Sequence, residues 1–271
     1  MNQKNSKLTK KIVFRCDGAM LPEIGSGHVI RDIVIADKLV KQNICHPSDI
    51  SFVMRRNGVF SVGVDLVSKS GYHLENIKDE ELEWNTTAEF KALANLNPKV
   101  LIIDRLSTEL EWMTDLASKL QYIVTMDDVG EGSFFADLAI NSILFDFPNN
   151  DGRPQGYDYL VLKPIKQKPI PSRSDKVNLI VASFGGHDYR NLTGFFLSVV
   201  SKKEYNFKKN QLIDVLVGAE SKILINEWKA QVDKISLQDG PKVRLIVRPD
   251  DFIERLARAD LAVLSGGLTI F

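Results

Sequence analysis

Apolar and polar positions alternate along this chain in a repeating order. A short apolar run comes first, then a turn carrying glycine or a carboxylate, then a stretch with helical spacing. Ile12-Val13-Phe14 is the first run and predicts a strand. Val29–Val40 follows, with Ile30, Ile33, Val34 and Leu39 near the helical period. Ile50–Met54 predicts a second strand, and Ala88–Leu96 a helix that stops before Pro98. Val100–Asp104 is a continuous apolar run ending in a carboxylate, as expected of a central parallel strand buried on both faces. A helix over Thr108–Leu120 is expected next, then apolar runs at 122–126 and 136–141.

The order restarts in the second half. Val177–Phe184 predicts a strand, Gly185-Gly186-His187-Asp188 a turn, and a helix begins near Asn191 or Leu192. Ile213–Val217, Val243–Val247 and Leu261–Ser265 predict three more strands. Helices are expected from about Ser221 to Ile235 and from Pro249-Asp250-Asp251-Phe252, with proline in a first turn. Between the halves lie a polar Pro- and Gly-containing stretch, Asn149–Pro154, and a proline-bearing linker, Lys166–Ser174. The expected domains are therefore 1–168 and 169–271. The fold class is α/β: two Rossmann-like domains with parallel sheets, facing a central cleft. The sequence stops at Phe271, just after a glycine turn that should open a helix, so the second domain reads as shortened.

Composition narrows the partners. The chain has 271 residues, 44% apolar and 26% charged, with a formal net charge of zero. That balance favours neither nucleic acid nor a membrane surface as partner. Cys16 and Cys45 have no metal or disulfide spacing. The N-terminus lacks the apolar core of a secretory signal, and no apolar run suffices to span a bilayer. The cytoplasm is the expected location. No cofactor and no metal are expected, and the oligomeric state is not readable.

The candidate chemistry gathers at strand ends. Arg15-Cys16-Asp17-Gly18 follows the first strand, and Gly25-Ser26-Gly27-His28-Val29-Ile30-Arg31 opens the first helix. Gly25 and Gly27 let backbone approach a ligand, and a helix N-terminus favours an anion. His28 is placed for proton transfer there; a tight turn with a helix-start histidine is the alternative. Asp17, Asp104, Asp127, Asp128 and Asn141 all fall at strand C-termini, where ligands bind in such sheets; capping of the next helix is the alternative for each. Arg31 shares a helix face with His28 and can pair with Asp17 or serve the fold. In the second half, Gly185 and Gly186, then Ser265-Gly266-Gly267, suit phosphate. His187 can touch phosphate; Asp188 and Asn191 can cap a helix, or Asn191 and Thr193 can line a diphosphate pocket. His46 and His73 fall in expected loops.

These residues resemble one family, the UDP-sugar hydrolases of pseudaminic acid biosynthesis and their spore-coat polysaccharide relatives. The resemblance rests on Arg15-x-Asp17, Gly25-x-Gly27-His28-x-x-Arg31, Leu101-Ile102-Ile103-Asp104, and Asp127-Asp128 with Ala136–Asn141. Ser183-Phe184-Gly185-Gly186-x-Asp188-x-x-Asn191-Leu192-Thr193 and Ala259-Asp260 with Ser265-Gly266-Gly267-x-Thr269 complete it. It implies the GT-B fold and a metal-independent reaction. A UDP-linked 2,4-diacetamido-2,4,6-trideoxy-altropyranose would be split to free sugar and UDP by water attack at the anomeric carbon. His28 is then the expected base, with Asp17 orienting it or binding a sugar group. Arg15, Gly25, Gly27, Arg31, Asp104, Asn141, Gly185, Gly186, Asn191, Ser265, Gly266, Gly267 and Thr269 are the expected substrate-binding positions. Two departures stand out: Arg105 replaces a frequent histidine, and the chain ends before a glutamate that typically binds ribose. A glycosyltransferase using the same donor, and a shortened non-catalytic homologue, are the alternatives.

Overall fold

The computed structural model describes the chain except for residues 1–11, 20, 22–23, 57, 78–83, 143–152, 163–175, 187, 189, 219–221, 238–239 and 266–271. It divides into two units, one of Met1–Ala19 with Ser26–Lys163, the other of Met20–Gly25 with Pro164–Phe271. The sequence-based boundary at 168/169 lies outside the described residues.

The first unit is built on six parallel strands: β1 Ile12–Cys16, β2 Ile50–Arg55, β3 His73–Ile77, β4 Val100–Asp104, β5 Ile123–Met126 and β6 Leu138–Ile140. Their order is β3-β2-β1-β4-β5-β6. Alternate residues of each strand serve opposite faces. Phe14, Phe52, Met54, Ile102 and Val124 pack under helices α1 (Gly27–Lys41) and α2 (Ser61–Ser70) through Val29, Ala36 and Val67. Val13, Val53, Leu101, Ile103 and Ile123 pack against α3 (Thr87–Leu96) and α4 (Leu110–Ala117) through Leu93, Trp112, Met113 and Leu116. Both faces are covered, which is why β4 reads as an unbroken apolar run.

α2 and β3 were not legible from hydrophobic spacing. α2 carries Gly63 and several β-branched residues, poor helix formers. It forms because Gly63 lies on Gly18: a Cβ at Gly63 would come within 2.7 Å of the Gly18 nitrogen. Gly63 N–H also donates to Gly18 C=O at 3.1 Å. β3 is an exposed edge strand, so His73 sits in a strand rather than a loop, 2.8 Å from Glu75. α4 starts two residues later than expected, because Asp128 captures the Thr108 N–H at 3.0 Å and its hydroxyl at 2.6 Å.

The second unit has four parallel strands, β7 Leu179–Ser183, β8 Leu212–Val217, β9 Lys242–Val247 and β10 Leu261–Leu264, ordered β10-β7-β8-β9. Its helices are α5 (Leu192–Val200), α6 (Lys222–Ser236) and α7 (Phe252–Arg258). Its core gathers Ile180, Ala182, Leu197, Ile213, Val215 and the buried Trp228. In both sheets the chain runs outward one way from the first strand and then returns to that strand's other side. No helix among the described residues is long and apolar enough to cross a membrane.

Candidate functional site

The strand order of the first unit reverses between β1 and β4, and ligands of open parallel sheets bind beyond the strand C-termini at such a point. Cys16 and Asp104 are paired there in register. α1 begins directly above, with Ser26 as N-cap and no side-chain cap bond. His28, in its first turn, is 19% exposed and its Nδ1 lies 2.6 Å from Asp104 Oδ1.

Arg31, one turn on, grips the same carboxylate with both prongs. Nε donates to Oδ2 at 2.7 Å and Nη2 to Oδ1 at 2.6 Å. Such bidentate, charge-assisted pairs are geometrically specific. Arg31 Nη1 also donates to Asp127. Asp127 in turn accepts the Ser142 N–H at 2.6 Å and its hydroxyl at 3.0 Å. Asp127 has φ +50°, a conformation Asp tolerates better than most residues. Burial alone would raise the Asp104 pKa, but His28 and Arg31 outweigh it and hold the carboxyl below its ordinary value. An ionised Asp104 has no proton to give, so the proton of this bond belongs to His28 Nδ1. That leaves the Nε2 lone pair as the basic atom.

Asp17 and Arg15 lie in a second network. Asp17 accepts the Arg55 N–H at 2.8 Å and Arg55 Nε at 2.9 Å, and pairs with Arg15 Nη2 at 2.9 Å. Arg15 and Arg105 both bond Glu89. The Arg55 guanidinium stacks 3.9 Å from the Trp84 ring, and that of Arg105 lies 4.9 Å from it. Burial would raise Glu89, but Arg105 and Arg15 outweigh it and bring its pKa down to about 2. The partner of His28 and Arg31 is thus Asp104, not Asp17, whose oxygens are taken by arginines of the fold. Arg105 is turned toward Glu89.

Gly27 starts α1 and Gly25 is exposed just before it. Asn141 is buried; its main chain bonds Pro154 and Gly156, while its side-chain amide has no partner among the described residues. Asp128 holds a loop, accepting N–H groups of Thr108 and Gly130. Among the described residues no cluster of three or more His, Cys, Asp or Glu is arranged to hold a metal ion.

In the second unit the strand order turns between β7 and β10, and Ser265 N–H donates to Ser183 C=O. Gly185 and Gly186 are exposed after β7, Gly185 with φ +91°. The first turn of α5 is already filled. Asp188 accepts N–H groups of Leu192 at 2.8 Å and Thr193 at 2.7 Å, and Asn191 that of Gly194 at 3.1 Å. Asn191 Oδ1 also accepts from Trp228 Nε1. The Asn191 oxygen therefore caps a helix, and any diphosphate here would have to use the glycine turn instead. His187, Gly266, Gly267 and Thr269 lie outside the described residues. Hydrophobic spacing missed Glu89, Trp84, Ser142 and Asp32. A polar residue on the apolar face of α1 was the signal for Asp32.

No protein-family model matches the chain. The chain is 25% identical over 276 residues to an uncharacterized protein of Methanocaldococcus jannaschii, an alignment covering 96% of this chain. The chain spans 53% of that protein's length. Among solved structures it resembles Anabaena HepE, determined in complex with UDP and glucose, with TM-score 0.54 and 11% identity over 93% of this chain and 73% of that one. It also resembles the assigned UDP-N-acetylglucosamine 2-epimerase of Listeria monocytogenes, with TM-score 0.52 and 13% identity over 95% and 75%. These likenesses are of fold: the chain has a GT-B-like α/β fold of two Rossmann-like units.

Proposed function

We propose that this chain binds a UDP-sugar and hydrolyses it at the anomeric carbon. The observation that carries this reading is the His28–Asp104 pair at the switch point, with Asp104 fixed by Arg31. His28 Nε2 takes a proton from water as the water oxygen bonds to the anomeric carbon. The bond from that carbon to the diphosphate breaks, and UDP leaves with the bonding pair. Such a base contributes about 10²- to 10⁴-fold. The leaving diphosphate needs charge stabilisation by N–H donors. Asn141, with an unpartnered amide, is proposed for the sugar side. The resemblance in the sequence motifs supports a diacetamido-trideoxy-altropyranose as the sugar.

The likeness in fold to HepE, solved with UDP and glucose, supports a second reading. In it, the same base activates an acceptor hydroxyl and the sugar is transferred. Incubation with the UDP-altropyranose and no acceptor separates the two. UDP and free sugar, measured by mass spectrometry, are expected from the native chain and are expected to fall about 10²- to 10⁴-fold in His28→Ala. UDP binding without release would overturn hydrolysis of this sugar, in favour of transfer or of a different sugar.

A further inference from the structure

Asp32 is a second carboxyl group beneath the dyad, and the chemistry above does not use it. Its spacing from Val29 and Ala36 puts it on the sheet-facing side of α1, where it is 0% exposed. Among the described residues neither side-chain oxygen accepts from an N–H or O–H group, and the donor beside it is the weak Cys16 thiol. A buried carboxylate with so weak a donor is strongly disfavoured.

Three groups act most strongly on Asp32. From β1 comes the Cys16 thiol, from β4 the Asp104 carboxylate, and from α1 itself Arg31. His28 and Asp17 stand one step further off, His28 on Asp104 and Asp17 acting on Cys16. Arg31 is the only cation among these facing groups. Its guanidinium is occupied at Nε and Nη2 by Asp104 and at Nη1 by Asp127 and Ser142. Asp104 is occupied but not filled. A carboxylate has about four acceptor sites, and His28 Nδ1, Arg31 Nη2 and Arg31 Nε take three of them.

We propose that Asp32 is a neutral carboxylic acid at pH 7 and donates its proton in a hydrogen bond to Asp104, making it a positioning residue for the Asp104–His28 pair. The open acceptor site on Asp104 receives the Asp32 O–H, and Asp104 is then held from below as well as by Arg31. Burial and the nearby Asp104 charge push the Asp32 carboxyl well above its usual range, against the opposing pull of Cys16 and Arg31. Burial and the Asp104 charge likewise push the Cys16 thiol up, so it stays uncharged. Two adjacent carboxyls then carry one negative charge between them, which Arg31, shared with Asp127, offsets in part. The catalytic consequence rests on His28 being the base; the protonation state does not.

The test is infrared difference spectroscopy at pH 7 between the native chain and Asp32→Asn. The carbonyl stretch of a protonated carboxylic acid is expected in the native chain and absent from the variant. A difference showing only a lost carboxylate band overturns the proposal. Melting temperatures give a second reading. The unfolded Asp32 ionises above about pH 3.9 while the folded one stays protonated, which weakens the native fold as pH rises. Asp32→Asn removes that penalty, so its advantage over the native chain should grow from pH 4 to pH 7. A variant whose melting temperature relative to the native chain does not rise from pH 4 to pH 7 overturns the proposal. Positioning is read at the His28 Nδ1 proton by NMR, retained in Asp32→Asn, which still offers a donor, and displaced in Asp32→Ala. An unchanged signal in folded Asp32→Ala overturns the positioning role. Hydrolysis should be kept in Asp32→Asn and lowered about 10- to 100-fold in Asp32→Ala, the usual loss when an orienting partner is removed. If no chain releases UDP while the infrared and NMR results hold, the functional reading falls and the protonated Asp32 stands.

Discussion

At the scale of residues, the chain separates two uses of the arginine–carboxylate pair. Arg31 and Asp104 hold a histidine at a partly exposed position, while Arg15, Asp17, Arg55, Glu89 and Arg105 close a buried network around Trp84. Asp104→Asn tests the first. The amide cannot hold a negative charge beside Arg31, and it can present N–H to His28 and favour the wrong tautomer. Turnover is expected to fall by up to ~10⁴-fold in a steady-state assay, as when the aspartate of a catalytic triad is changed. Glu89→Gln tests the second. Glu89 is held down to about 2 from an ordinary 4.5, so its contribution is fully present above pH 4.5 and is lost as pH falls toward 2. The substitution should cost about 3 to 5 kcal/mol in urea unfolding at pH 7. The gap to the native chain should narrow between pH 4.5 and 2.

At the scale of elements, the contact of α2 with the β1–α1 turn couples packing to chemistry. Gly63 and Gly18 meet without side chains, and Gly18 lies one residue beyond Asp17 and ten before His28. Gly63→Ala would press a methyl on the Gly18 nitrogen and on the Met54 methyl, each within 2.7 Å. A cost of about 1 to 3 kcal/mol is expected from overpacking, measured by thermal unfolding. This is also where hydrophobic spacing failed. α2 has a helix's length but a strand-former's residues, and only the Gly18 contact with its Cα pairing explains its place. The strands that are central and doubly covered, β1, β4 and β7, were legible, because burial on both faces leaves no polar position to blur the run. β3, at an edge with His73 and Glu75 in water, was not.

At the scale of the whole molecule, each unit has its own core, and the tryptophans report on them separately. Trp84 and Trp112 belong to the first unit; Trp228 is buried in the second. Asp188→Ala removes the carboxylate that caps α5 at Leu192 and Thr193. It should lower the transition seen at Trp228 by about 1 kcal/mol, the usual value of an N-cap, and leave that seen at Trp112 in place. Equal loss at both would show that the units do not melt as separate cores.

The sequence by itself determined the α/β class and the restart of the alternation in the second half. It also placed His28 on a glycine turn and the aspartates at strand ends. Those features follow from local rules: strand and helix periods, and glycine where the backbone turns. Which aspartate meets His28 was decided by tertiary structure. Asp104 is 76 residues away in the chain and reaches His28 only because β4 lies beside β1 with Cys16 and Asp104 in register. Asp17, though nearer in sequence, is drawn to Arg55 on β2. At α5 the outcome is local instead: Asp188 and Asn191, within five residues of the N–H groups they occupy, realise the capping alternative. Pairing across a sheet and competition for donors are properties of the folded chain, and no local pattern encodes which partner wins.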